Sequence, residues 1–93
     1  MSDADEKQLL EDVKDYLCIT WDDPKLDKKI TGYIKRGIAH INKIAGIENL
    51  DFLKEDTPRE LLFDYCRYAN SQALEVWEVN FQSELLSLHL EYR

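Results

Sequence analysis

This sequence contains two cysteines and two histidines, the residue types best suited to nucleophilic chemistry or metal binding. A cysteine nucleophile needs a nearby base, and Cys18 or Cys66 could in principle be paired with His40. Such a site also needs an orienting group and an oxyanion hole, which usually lies at a strained glycine-rich turn. The sequence has no turn of that kind, so it does not favour a cysteine-dependent enzyme.

A metal site would need several ligands at characteristic spacings. His40 and His89 are far apart in the sequence, and neither belongs to an HExxH motif, a CxxC motif or an acidic calcium-binding loop. Neither of the common glycine-rich loops that bind phosphate groups is present. We therefore predict no catalytic residue, no metal and no cofactor.

The adjacent carboxylates Asp22 and Asp23 suit acid–base catalysis only if burial gives them different proton affinities. Pro24 follows them, and its fixed φ angle suits the first turn of a helix. An aspartate directly before that turn can accept a hydrogen bond from a free backbone N–H group. We therefore interpret Asp23 as a helix cap.

The composition is that of one small globular domain spanning residues 1–93. The chain has 44% hydrophobic and 33% charged residues, with 3 glycines and 2 prolines. A domain of this size buries only about two-thirds of its unfolded surface, so docking against copies of itself or a partner would add stability. The net charge of −7 disfavours tight binding to nucleic acid. We expect reduced thiols, no signal peptide and no membrane span.

Hydrophobic periodicity predicts an all-α fold, a small bundle of three main helices plus a short C-terminal helix or an extended tail. The first helix is predicted over residues 3–18, and the second begins at Pro24 and ends at Ala45, before the left-handed cap expected at Gly46. Within the second helix, two glycines, Gly32 and Gly37, suggest either close approach of a neighbouring helix or ordinary tolerance.

The second half of the chain is less regular. Residues 47–56 are predicted to form a connector with partly buried apolar residues. The segment 57–60 has the sequence of a capping box, in which Thr57 would cap a long third helix that no glycine or proline interrupts after Pro58. A helical extension through about Ser87 is favoured at the C terminus, and a strand over 86–92 is the alternative.

Charge is strongly segregated along the chain. Residues 1–23 carry −6, residues 24–46 carry +5 and residues 47–93 carry −6. Opposite potentials of this kind fix orientation and register when surfaces meet, within one subunit or between subunits, although a solvated surface explains them equally well. The basic residues of the second helix could also contact nucleic-acid phosphates. The solvent-exposed face of an amphipathic helix explains them better. The residues predicted to form charge contacts between subunits are Asp12, Asp15, Lys28, Lys29, Lys35 and Arg36.

The order of these elements resembles the head-tail connector proteins of tailed bacteriophages and prophages. The resemblance covers nearly the whole chain and rests on the segments LLEDVKDYL, WDDP, TGYIKRGIAHINKIAG and TPRELLFDYCRYANSQALEVWEVNFQSELLSLHLEY. These segments are helical patterns without catalytic residues, and the stretch from Leu61 to Leu90 is the most distinctive.

The resemblance implies a structural virion protein without enzymatic activity. Such a protein forms a homo-oligomeric ring, dodecameric when assembled, between the portal and the next head-completion, stopper or tail protein. DNA passes through the ring without specific binding, and the subunits reside in the host cytoplasm before assembly. The resemblance places the portal or ring interface in the segment 77–93, with the contact residues Trp77, Phe81, Leu85, Leu88, Leu90 and Tyr92.

Two other functions are compatible with the residues. The net charge of −7 suits a small acidic regulatory or inhibitor protein that binds a host protein as a mimic of nucleic acid. Neutralising Asp12, Asp15, Asp22 and Asp23 would then abolish binding. The second is a cysteine-dependent enzyme, which would need Cys18 or Cys66.

Overall fold

The computed structural model describes residues 3–47 and 50–91. Within these ranges the chain is all α and has no strand, so the predicted fold class is confirmed. The helices are α1 (Asp3–Tyr16), α2 (Pro24–Ala45), α3 (Thr57–Asn70), α4 (Leu74–Asn80) and α5 (Gln82–Glu91). Helix α2 is central and packs against α1, α3 and α5 in a body measuring 39 × 29 × 18 Å.

Both predicted ends of α2 are confirmed. The Asp23 side chain accepts a hydrogen bond from the backbone N–H of Lys25 at 3.0 Å, which satisfies one of the free donors of the first turn. Gly46 has a φ of 72°, and Ile47 N–H donates back to the carbonyl of Asn42 at 3.1 Å. This is a Schellman ending, in which a left-handed residue turns the chain so that the last carbonyls find donors.

Helix α1 ends at Tyr16, two residues before the predicted end. Cys18 adopts a left-handed conformation with a φ of 61°, and the N–H of Ile19 donates to the carbonyl of Lys14 at 2.8 Å. The same Schellman pattern therefore ends α1, with a cysteine where glycine is usual. The turn directs Ile19 into the hydrophobic core.

The predicted capping box at α3 is wrong. Asp56 is the N-cap, since its side chain accepts a hydrogen bond from the backbone N–H of Thr57 at 2.8 Å. Thr57 is already the first helical residue, and the N–H of Glu60 donates to the Asp56 carbonyl at 3.2 Å. A carboxylate immediately before Thr57 replaces the hydroxyl because it supplies the same acceptor with a negative charge at the positive end of the helix dipole.

The prediction of one long third helix is also wrong. Helix α3 stops at Asn70, Gln72 takes a φ of 57°, and the N–H of Ala73 donates to the carbonyl of Tyr68 at 2.8 Å. This third Schellman ending turns the chain so that α4 and α5 return to the bundle. Helix α5 then continues through Glu91, which corrects both the predicted end near Ser87 and the alternative strand. Tyr92 and Arg93 lie outside the described residues.

One core joins all five helices and the connector. Phe52 and Leu50 of the connector are buried, deeper than predicted, whereas Ile47 and Leu53 are partly buried. The largest side chains that lose all or nearly all contact with solvent are Trp77, Phe52, Leu9, Ile30, Ile41, Leu61, Leu62 and Leu88.

Replacing Gln72 with glycine should raise the free energy of unfolding by about 0.5–1 kcal/mol. A left-handed conformation costs a residue with a Cβ atom about 1–2 kcal/mol, and the greater freedom of glycine in the unfolded chain offsets part of the gain. Urea denaturation measures the change. Ser71→Gly is the control, because Ser71 has a φ of −94° and gains nothing from glycine. Equal destabilisation by both substitutions would contradict the assignment of strain to Gln72.

Candidate functional site

The residues predicted to contact the portal or a neighbouring subunit fall into three groups. Trp77, Leu85 and Leu88 are buried in the core of this chain, and Phe81 is partly buried against it. Their side chains hold α4 and α5 in place and are not available on the surface. Leu90 is exposed, and Tyr92 lies outside the described residues. The interface role of this set stays a prediction.

A different set of apolar side chains lies on the surface of the two C-terminal helices. Val76 and Val79 are exposed on α4, and Leu86 and Leu90 are exposed on α5. Spacings of three and four residues put each pair on one side of its helix. The sequence alone does not identify Val76, Val79 and Leu86 as surface residues, because the dense apolar pattern of this segment does not show which residues face the core.

Helix α4 is held on the bundle by an aromatic cluster around Trp77. The Trp77 ring meets Tyr65 edge-on with centroids 5.1 Å apart, and His40 of α2 lies 5.8 Å from it. His40 Nε2 is also 3.0 Å from Glu78 Oε1, which connects α2 to α4. Helix α5 is held by His89, whose Nδ1 donates to the carbonyl of Ile44 at 2.8 Å. Both histidines therefore have structural partners.

A surface pocket of about 470 Å³ lies between α1 and the start of α3. Its floor contains the Phe63 ring, which packs against Tyr16 with centroids 5.5 Å apart and is covered by the Arg59 guanidinium at 4.4 Å. Arg59 also donates to Asp12 Oδ2 at 2.9 Å and to the carbonyl of Phe52 at 3.2 Å. Arg59 is thus fully engaged inside the chain, and it joins α1 to the connector.

The rim of this pocket is acidic. Glu55, Asp56 and Glu60 are exposed, and Asp64 accepts a hydrogen bond from the Tyr16 hydroxyl at 2.5 Å. That hydrogen bond, together with burial, raises the pKa of Tyr16 above its ordinary value. The hydroxyl therefore stays protonated as a donor to Asp64 at neutral pH.

The other strongly charged surface is one face of α2, which we call the basic stripe. It consists of six exposed cations, and at 100° per residue they fall within an arc of about 120° on the side opposite the core. Asp27, the only acid of α2, lies outside that arc. Arg36 lies over the Tyr33 ring at 5.4 Å, and in the described part of the chain no member of the stripe forms an ion pair. The members are Lys25, Lys28, Lys29, Lys35, Arg36 and Lys43.

The acids predicted to act on partners have several roles within the chain. Asp12 pairs with Arg59, and Asp23 caps α2. Lys14 is buried, with Nζ 3.0 Å from Asp27 and 3.7 Å from Asp22. The hydrogen bond to Asp27 is the main cause of a raised pKa for Lys14, which keeps it charged. Asp15, by contrast, is exposed, as are Lys28, Lys29, Lys35 and Arg36, the predicted cationic partners.

The two thiols lie in contrasting environments, and both are free. Cys66 is fully buried, and burial raises its pKa to about 12 because a thiolate would be poorly solvated there. A thiolate at Cys66 is therefore rare at neutral pH, which does not favour a nucleophilic role for this residue. Cys18 is exposed at the left-handed turn after α1.

We expect one fast and one protected thiol when the native protein is treated with a thiol-reactive disulfide at neutral pH. Cys18 should react at the rate of an exposed thiol, whereas Cys66 should react at least about 100-fold more slowly, since its reaction requires an opening of the core. The Cys18→Ser and Cys66→Ser variants assign each phase. Rapid modification of both thiols in the folded protein would contradict the buried position of Cys66.

Among the described residues, no group of three or more histidine, cysteine or acidic side chains is arranged to hold a metal ion. None of the helices in residues 3–47 and 50–91 is long and apolar enough to span a membrane. Comparisons with protein-family models, with curated proteins and with solved structures found no match to this chain.

Proposed function

We propose that this chain is a structural subunit of a phage or prophage particle, which assembles as a ring between the portal and the next head-completion or tail protein. The observation that carries the proposal is the exposed apolar surface of α4 and α5. Val79 and Leu86 are 74% and 59% exposed, and each shares one side of its helix with a second exposed apolar side chain, which offers an apolar surface to a partner. The resemblance of the sequence to head-tail connectors supplies the identity of the assembly.

The segregated charge supports the same function. An extended cationic face on α2 and an acidic surface around the pocket between α1 and α3 give the subunit two surfaces of opposite sign. Interfaces made of two different surfaces generate rings when the rotation closes. The net charge of −7 suits a channel through which DNA slides without binding.

Electron microscopy of this protein mixed with the portal protein encoded in the same genome tests the proposal. We expect ring-shaped density on the portal for the wild type, and its loss in the Leu86→Glu/Leu90→Glu variant. The control is Ala4→Glu/Thr20→Glu, which adds the same charge at exposed positions outside α4 and α5. Absence of any portal-bound density with the wild type at high concentration would refute the proposed function.

The alternative of an acidic inhibitor is less well supported by the geometry. Asp12, Asp22 and Asp23, three of the four acids on which it would depend, contact Arg59, Lys14 and the start of α2. Neutralising them would disturb the fold as well as any binding. A protein that mimics nucleic acid should present negative charge to its partner. The cationic face of α2 has the opposite sign and would attract phosphate groups.

A further inference from the structure

We propose that the basic stripe of α2 docks onto the acidic surface between α1 and α3 of a second copy of this chain. The contact is heterologous, since it joins two different faces. This inference rests on only one part of the proposed function, which is that the chain assembles with copies of itself. It requires neither a portal nor DNA. It also changes the predicted pairing, because Glu55 and Glu60 take the place assigned to Asp12.

The stripe is an unpartnered helix face with a defined shape. From Lys25 to Lys43 it runs for about 27 Å along α2, at 1.5 Å per residue. Lys29, Arg36 and Lys43 recur every seven residues along one side, and Lys28 and Lys35 do so along the other. Repeats of seven keep each set on one side of a helix, so the cations form two parallel rows.

Between the two rows lie Gly32 and Ala39. A Cβ atom added to Gly32 would meet nothing within 4 Å, which shows that this part of the helix is open to the outside. Small residues allow another surface to approach the backbone closely, while lysine and arginine side chains on either side reach outward. The stripe is therefore suited to a concave surface that carries carboxylates on its rim.

The acidic surface of the same chain fits this description. Glu55 and Glu60 are exposed on the rim of the pocket, and in the described ranges neither forms an ion pair. Asp15 and Glu11 add two more exposed carboxylates on the outer side of α1. Asp12 is unsuitable as an acceptor, because Arg59 already occupies its Oδ2 atom at 2.9 Å.

The stripe and the pocket cannot satisfy each other within one subunit. The pocket lies on α1 and α3, whereas the stripe lies on the side of α2 that faces away from both. These two surfaces can therefore pair only between molecules. At physiological salt the screening length is about 8 Å, so facing charges act strongly while the overall repulsion between two chains of −7 is largely screened.

A DNA backbone is the other polyanion that the stripe could contact. The rest of this chain opposes it, because residues 1–23 and 47–93 each carry −6 and the net charge of −7 repels a long polyanion. A second copy presents the exposed carboxylates of Glu55 and Glu60 at the docking surface and carries its own basic stripe on a different face. We therefore commit to the second copy and treat DNA binding as an outcome that the test can show.

Complementary charge reversal tests the contact by sedimentation equilibrium of the full chain up to about 1 mM, where an interface with a millimolar dissociation constant is populated. One variant is Lys28→Glu/Lys35→Glu, which reverses the stripe, and the other is Glu55→Lys/Glu60→Lys, which reverses the pocket. Each variant alone should associate at least tenfold more weakly than the wild type. An equimolar mixture of the two should recover association, because each retains one native surface.

The charge-matched control is Lys7→Glu/Lys54→Glu, which changes two exposed lysines outside the stripe and beside the acidic surface, and it should associate at least as strongly as the wild type does. Association of the wild type should also weaken at least several-fold between about 50 mM and about 500 mM salt. All variants should keep the wild-type circular dichroism and melting temperature, since every altered side chain is exposed.

Three results would overturn the inference. They are a wild type that stays monomeric at 1 mM, a mixture that associates no better than its components, and a control that loses association equally. Binding of the wild type to a 30-base-pair duplex at physiological salt, lost on reversing the stripe, would assign the stripe to nucleic acid instead. Failure of portal binding with successful complementation would refute the proposed function and leave this contact standing, so the two failures are distinguishable.

Discussion

Replacing Trp77 with alanine should lower the free energy of unfolding by about 3–5 kcal/mol, the usual cost of deleting a large buried aromatic side chain. Trp77 is 0% exposed and contacts Tyr65 of α3, His40 of α2 and Phe81 after α4. Its loss would leave a cavity among elements that hold α4 and α5 on the bundle. Since small domains are stable by only about 5–15 kcal/mol, the variant should be close to unfolding at 37 °C.

Urea denaturation followed by circular dichroism measures this change, and Trp21→Ala is its control. Trp21 is 56% exposed before α2, so its removal should cost less than about 0.5 kcal/mol. The Trp77→Phe variant keeps most of the packing. It also removes an indole N–H that has no hydrogen-bond partner in the described part of the chain. Removing this unpaired donor offsets part of the free-energy cost of the lost volume. Equal stability of the two alanine variants would contradict the place of Trp77 in the core.

The helix ends show which parts of the fold are readable from the residues. All three of the left-handed endings described above use the same backbone hydrogen bonds, but only the one at Gly46 contains a glycine. The endings at Cys18 and Gln72 have no such marker, because tertiary packing compensates for the strain of a Cβ atom in that conformation. The end of α2 can therefore be predicted from the sequence, whereas the end of α1 at Tyr16 and the break after α3 cannot.

The C-terminal helices depend on long-range contacts that no local pattern contains. The sequence places Trp77, Leu85 and Leu88 at a partner interface, whereas all three are buried in the core of this chain once the turn at Gln72 directs α4 back. The surface that remains exposed is then formed by the residues between them. A hydrophobic pattern shows which faces of a helix are apolar. The turn that precedes the helix decides which of these faces packs against the bundle.

The charged surfaces were more predictable. The sequence shows that acids and bases are segregated, and a 22-residue helix with its cations on one side follows from the spacing alone. The pairing of Arg59 with Asp12 across 47 residues, and of Tyr16 with Asp64 across 48, could not be predicted, since both depend on how α1 and α3 cross. These pairings remove Asp12 and Asp64 from the acids that are free to contact a partner.

Replacing Gly37 with alanine should lower the free energy of unfolding by about 1–2 kcal/mol, although alanine is the better helix former. A Cβ atom at this position would lie 2.7 Å from Leu62 Cδ1 and 2.9 Å from Tyr65 Cδ1, both on α3. Overpacking of this kind costs about 1–3 kcal/mol, and the helix propensity of alanine returns up to about 1 kcal/mol. The Tyr65 ring cannot simply move away, because its other neighbour is the buried Trp77.

Gly32→Ala is the matched control, since it makes the same chemical change in the same helix. No atom lies within 4 Å of a Cβ atom at Gly32, so this variant should gain about 0.5–1 kcal/mol. The two variants should therefore shift the midpoint of urea denaturation in opposite directions. If Gly37→Ala also stabilised the protein, α2 and α3 would have room to separate. The close contact at Gly37 would then not fix the position of Tyr65, nor the position of α4, which packs on Tyr65 through Trp77.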